Sequence, residues 1–214
     1  MFLSPENRRK GRTLLWSRLG GKGARYLLHT FSEDNGVYMS SKSLHDNLLA
    51  LEEGVRICIE NKLLAPALVL VYSGIDMIGW MDSNDECATK RSFLEWVEKY
   101  LLKQKDIVCT AMDLYAARCG LLHTFTPFSQ LHTDGKARVI CYAWGPASVS
   151  DLQSGLKGVD GDTAIAVHVS DLFAAWQLGV SEFLADIEKD NERRERTYKK
   201  AAMCFSEINM TDLE

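Results

Sequence analysis

The sequence predicts a mainly α-helical bundle of five or more helices carrying a small two-stranded β insertion. Three observations point to that class. Apolar residues recur at three- and four-residue spacing from about residue 43 to residue 123, and again from residue 170 onward. Only two short stretches, 137–144 and 163–169, are rich in β-branched residues and bounded by glycine or proline. The chain has 214 residues, 46% of them hydrophobic and 25% charged, which is enough apolar surface for a core without disulfides or a structural metal.

Residues 1–40 read as a basic, loosely structured extension, and residues 41–214 as the helical domain, with the β insertion at about 135–169. Over residues 1–36 there are seven basic residues (Arg8, Arg9, Lys10, Arg12, Arg18, Lys22, Arg25) against three acidic ones (Glu6, Glu33, Asp34). Gly20-Gly21-Lys22-Gly23 breaks the segment without forming a phosphate loop. Trp16 stands where such a loop needs its first glycine, and Gly23 where it needs Ser or Thr.

In the domain, Leu44, Leu48, Leu51, Val55, Cys58 and Ile59 define a first helix, for which Ser43 is the expected N-cap. Leu63–Met81 is almost uncharged and about the length of a membrane span, and its helical part, Leu64–Met81, is apolar on all sides. Pro66, Ser73, Gly74, Asp76 and Gly79 within it favour a central bundle helix instead, so no membrane role is expected. Asp82-Ser83-Asn84-Asp85 makes a turn, and Thr89 opens a third helix with Phe93, Trp96, Val97, Tyr100 and Leu101 on one stripe. A fourth helix is expected from Ile107, capped by Asp106, to about His123, ending before Thr126-Pro127. Ala137–Trp144 and Thr163–Val169 should pair as the only substantial strands. Ser170 then caps a final helix predicted to run unbroken through Asp190–Arg194, Glu192–Arg196 and Glu195–Lys199, read as a solvated lattice of ion pairs without chemistry.

Charge and cysteines narrow the function. Twenty-five Lys+Arg against twenty-nine Asp+Glu leave a net charge of −4, which disfavours a protein that coats long nucleic acid but permits a local basic site. None of the six cysteines stands in a C-x-x-C pair, and Met1–Leu3 leads into serine, proline and charges, so a reduced cytoplasmic protein is expected. His29, His45, His123, His132 and His168 are scattered, with no pair at ligand spacing on one helix. No metal and no cofactor are therefore expected.

The fourth helix holds one anomaly. With Arg118 set at zero and 100° per residue, Ala111, Leu114, Tyr115, Leu121 and Leu122 all fall within about 60° of it. An arginine centred on an apolar stripe calls for a paired anion. Asp76, alone among charges in the Leu64–Met81 helix, is the obvious candidate. His123 follows five residues later, at the C-terminal end of the helix, where the dipole favours a cation.

Arg118-Cys119-Gly120-Leu121-Leu122-His123 is an arginine-x4-histidine sequence late in a capped helix, and it resembles the motif of HEPN domains. The resemblance covers about residues 43–125 and the final helix. It implies a helical bundle, a homodimer with the motif facing its own copy, and a metal-independent endoribonuclease of the kind found in toxin–antitoxin or phage-defence systems. RNA would be the substrate and an antitoxin protein a possible partner. By this resemblance Arg118 and His123 are catalytic, while Asp76, Tyr115 and Cys119 support them. Cys119 stands where many active members carry a polar residue. The residue types suit the chemistry: imidazole moves protons near neutral pH, and guanidinium stays charged while presenting a fork to phosphate oxygens. The alternative keeps the fold without catalysis, as an RNA- or nucleotide-binding or protein-interaction module with a structural Arg118. A small-molecule enzyme finds no residue-level support.

Overall fold

The computed structural model describes residues 25–28, 38–104, 107–157, 163–204 and 206–209. Tyr38–Glu60 (α1) and Leu64–Asp82 (α2) form a helical hairpin, its short connection turned by Lys62 in the left-handed region at φ 62°. Beyond it come Lys90–Trp96 (α3), a π-helical turn over Val97–Leu101, Ala111–Thr124 (α4), Gln130–Thr133 (α5), Val149–Lys157 (α6), Val169–Ile187 (α7) and Asn191–Ala201 (α8). Val139–Ala143 and Ala164–His168 pair in parallel, with α6 as the crossover. The chain is thus a mainly helical bundle with a small two-stranded insertion, as the sequence predicts.

α2 is the axis of the bundle. Its Ala67, Leu68, Val71, Tyr72, Ile75, Ile78 and Met81 are buried among Leu44, Leu48 and Val55 of α1, Phe93 and Trp96 of α3, and Leu172, Trp176 and Phe183 of α7. Among the described residues, α2 is the one helix long and apolar enough to cross a membrane. Gly79 lets α3 approach closely, since a Cβ there would lie 2.8 Å from the Ser92 carbonyl oxygen. Thr89 caps α3 through a reciprocal box with Ser92, at the predicted start.

Several boundaries differ from expectation. α1 begins at Tyr38, so Ser43 lies inside the helix and is not its cap; burial of Leu44 and Leu48 carries the helix through the serines despite their modest propensity. α4 begins at Ala111, and Ile107 lies outside it; Asp106 is outside the described residues. The start is set by Thr110 and Asp113. The Thr110 hydroxyl accepts from the Asp113 N–H at 3.1 Å, and the Asp113 carboxylate accepts from the Thr110 N–H at 2.9 Å.

The long final helix is two helices. His168, not Ser170, caps α7, its Nδ1 accepting from the Ser170 N–H. The chain then breaks after Ile187, and the Asp190 side chain accepts from the Arg193 N–H to start α8. The break turns Arg196 of the predicted lattice, and with it Arg193 and Lys200, inward onto the C-terminal end of α2, where unpaired carbonyls attract cations; Arg196 Nη2 donates to the Asp82 carbonyl at 3.3 Å. Arg193 Nε donates to Asp82 at 2.5 Å, and Lys200 Nζ donates to the carbonyls of Trp80, Ser83 and Asp85 at 2.7–2.8 Å. Arg194 pairs with Glu188 instead of Asp190. The two predicted strands are not the only ones: Arg25–Leu28 (β1) pairs antiparallel with Ser206–Asn209 (β4), where β2 and β3 denote the parallel pair. The remainder of the predicted N-terminal extension before Tyr38, including Gly20–Gly23, lies outside the described residues.

Candidate active site

The C-terminal half of α4 lies beside α2 and α3, and this packing brings Asp76, Tyr115, Arg118 and His123 together. Arg118 Nε donates to Asp76 Oδ2 at 2.6 Å, and Nη2 stands at the same distance from that oxygen as an ion-pair contact. The remaining arm of the fork, Nη1, stands 3.0 Å from His123 Nε2. Arginine has no lone pair to offer, so Nε2 is the acceptor in this contact. The Arg118 side chain is 18% exposed and that of Asp76 15%, whereas His123 is open to solvent. One charged pair therefore sits at the rim of the core and presents a histidine outward.

The electrostatics of the pair are uneven. Burial lifts the Asp76 carboxyl above its ordinary value, against the pull of Arg118 and His123. Burial also opposes the Arg118 charge, but the Asp76 hydrogen bond outweighs it and leaves the guanidinium raised. Arg118 is a fixed cation under all ordinary conditions.

Tyr115 lies one turn before Arg118, and its ring edge meets Phe93 at 5.4 Å between centroids. The Arg118 guanidinium lies 5.9 Å from the Tyr115 centroid. Burial, and then the neighbouring Cys119 thiol, raise the Tyr115 hydroxyl above its ordinary value. Cys119 is half-buried and touches both Tyr115 and Arg118 electrostatically.

The loop after His123 is clamped against the helix. Phe125 adopts the left-handed conformation at φ 55°, ψ 35°, a costly choice for a bulky residue. The Thr126 N–H reaches back to the Gly120 carbonyl at 3.2 Å. A Cβ on Gly120 would lie 2.6 Å from the Thr126 carbonyl oxygen and 2.7 Å from that of Phe128. Gly120 therefore permits the tight return, which fixes the end of the helix that carries His123.

All five site residues singled out from the sequence gather here. Two neighbours were not foreseen. Lys90, the first residue of α3, places its ammonium 5.6 Å from the Tyr115 centroid, and Phe125 stands exposed beside the motif. A lysine that opens a short helix gives no sequence signal, because its position depends on how α3 packs on α4. Clefts of about 520 Å³, between α1 and α7, and about 590 Å³, beside Asp113 and Arg138, are lined by none of Asp76, Tyr115, Arg118 and His123. His123 opens the site to solvent, while Asp76 and Arg118 behind it are mostly covered. Among the described residues, no three His, Cys, Asp or Glu side chains converge as a metal-ligand set.

No protein-family model, curated protein or solved structure matches this chain.

Proposed function

We propose that this chain is a metal-independent endoribonuclease of the HEPN type, acting as a cytoplasmic homodimer in a toxin–antitoxin or phage-defence setting. The observation that carries the reading is the Arg118 fork. Two arms are anchored on Asp76, and the third is directed at the Nε2 of an exposed histidine 3.0 Å away. A fixed cation and a proton-transfer group side by side are the parts needed to cleave RNA through its own 2′-hydroxyl.

In this mechanism a scissile phosphate takes the place of His123 on Nη1, which frees the Nε2 lone pair. His123 removes the proton of the 2′-hydroxyl. The 2′-oxygen attacks phosphorus, and Arg118 stabilises the charge on the equatorial oxygens. The P–O5′ bond breaks, and the 5′-oxygen takes its proton from the histidine of the second protomer, which enters the step as imidazolium and leaves it neutral while the first becomes protonated. The products end in a 2′,3′-cyclic phosphate and a 5′-hydroxyl. Asp76 positions Arg118, and the exposed His123 is accessible to a polymer substrate.

A second reading, a non-catalytic RNA- or nucleotide-binding or interaction module, is favoured by one observation: Arg118 does form the ion pair with Asp76 that a structural role requires. Incubating the purified chain with single-stranded RNA in excess EDTA separates the two. Cleavage to cyclic-phosphate ends, with resistance of RNA bearing a 2′-deoxy substitution at the cut, supports the nuclease. Intact RNA supports the module.

A further inference from the structure

Two cations from separate elements lie close to the Tyr115 ring. The Lys90 ammonium lies 5.6 Å from its centroid and the Arg118 guanidinium 5.9 Å from the same point. Lys90 is exposed and, among the described residues, forms no ion pair, whereas its neighbour Arg91 is tied to Asp85. Asp76 offsets only one of the two charges, and it is engaged by Arg118. Lys90, Arg118 and Asp76 together bring one net positive charge to the Tyr115 ring, on a chain whose net charge is −4. Like charges gathered around one ring repel, and an anion lying across both relieves the repulsion.

We propose that Lys90 is a substrate-binding residue, holding the phosphate next to the scissile one as a single RNA strand crosses Tyr115, while Arg118 holds the scissile phosphate. The identity of the substrate rests on the nuclease reading above. Lysine is a mobile point charge without a fork, so its contact carries affinity and no base preference. An ordered clamp of two phosphates also fixes which bond lies before His123.

The test uses the full chain, a labelled single-stranded oligonucleotide made uncleavable by 2′-deoxy substitution, and a salt titration in EDTA. Lys90→Ala should raise Kd about fivefold to tenfold at low salt and flatten the dependence of log Kd on log salt by about 0.7, the share of one phosphate contact on a single strand. Lys90→Arg should restore both. On cleavable RNA, Lys90→Ala should raise KM and leave kcat within about twofold, the pattern of lost binding that is equal in ground and transition states. Its melting temperature should match wild type, so a folding defect cannot imitate the result. If wild type binds with the Lys90-dependent salt slope but leaves RNA intact, the clamp stands and the nuclease reading fails. If RNA is cut and Lys90→Ala matches wild type in Kd and slope, the clamp fails and the nuclease stands. Failure of wild type to bind the oligonucleotide overturns the clamp.

Discussion

Arginine–aspartate pairs anchor α4 at both ends, and they are built differently. At the N-terminal end Asp113 is 3% exposed, and both its oxygens are occupied. Oδ1 accepts from the Arg138 backbone N–H at 2.7 Å, and Oδ2 accepts from the Thr110 N–H at 2.9 Å and from Arg138 Nη2 at 2.7 Å. Burial works against this carboxylate, but the Arg138 and Thr110 hydrogen bonds outweigh it and hold Asp113 below its ordinary value. At the other end Asp76 Oδ2 accepts one hydrogen bond, from Arg118 Nε, beside an ion-pair contact to Nη2, and Oδ1 accepts none among the described residues. Its carboxyl is lifted, not lowered. The first pair is saturated and joins β2 to the start of α4. The second is under-satisfied, faces solvent on one side and points its spare donor at His123. The Asp113 pair satisfies its anion on both oxygens; the Asp76 pair leaves one carboxylate oxygen and one guanidinium arm outside the ion pair.

The largest expected effect falls on the second pair's histidine. His123→Ala should slow RNA cleavage by about 10²–10⁴, the share of acid–base catalysis, while changing stability by no more than about 0.5 kcal/mol because the ring is exposed. Single-turnover assays beside chemical unfolding read both numbers. The mirror-image variant is Asp113→Ala, which leaves Arg138 unpaired and removes half of a capping box. It should cost on the order of 3 kcal/mol in unfolding free energy, with the lower end expected since Arg138 is partly exposed, and leave the rate per folded molecule unchanged. A rate loss larger than the loss of folded protein would show that the two ends of α4 are not separable.

A smaller effect sharpens the contrast through pH. The depressed Asp113 contributes stability that is present above its unfolded value near 3.8 and is lost as pH falls through that value and below. The raised Asp76 has the opposite sign: its contribution is present below 3.8 and is lost as pH rises through its elevated folded value. Relative to wild type, Asp113→Asn should therefore become more destabilised as pH rises from acid, and Asp76→Asn less so. Urea midpoints measured over the acidic range check the two slopes. Slopes of equal sign would break the comparison.

Much of this was legible in the chain. The apolar face around Arg118 and the isolation of Asp76 within α2 announced the pair, because charge on a dry face admits few other solutions. Thr89 marked its helix start through local chemistry, and the β-branched runs marked both strands of the insertion. The misses share a cause. Asp113 sits in a plain capping pattern, and its partner Arg138 lies 25 residues on, where no local spacing connects them. The charged run after Ile187 has ideal helical i,i+4 order, yet its Arg193 and Lys200 are drawn to the end of α2, more than 110 residues earlier in the chain. Lys90 reaches Tyr115 only through the packing of α3 on α4. Periodicity reports which face is dry; it does not report what a long cation on the wet face will find.

If Arg118 and Asp76 serve cleavage and not the fold, one double variant separates the two roles. Asp76→Asn combined with Arg118→Met removes both charges at similar volume, so neither is left stranded. Unfolding free energy should stay within about 1 kcal/mol of wild type, as replacing a buried pair outright is often neutral. Cleavage of single-stranded RNA in EDTA should be abolished in the same preparation. A double variant that cuts RNA at the wild-type rate, or that unfolds as readily as Asp113→Ala, would contradict the account.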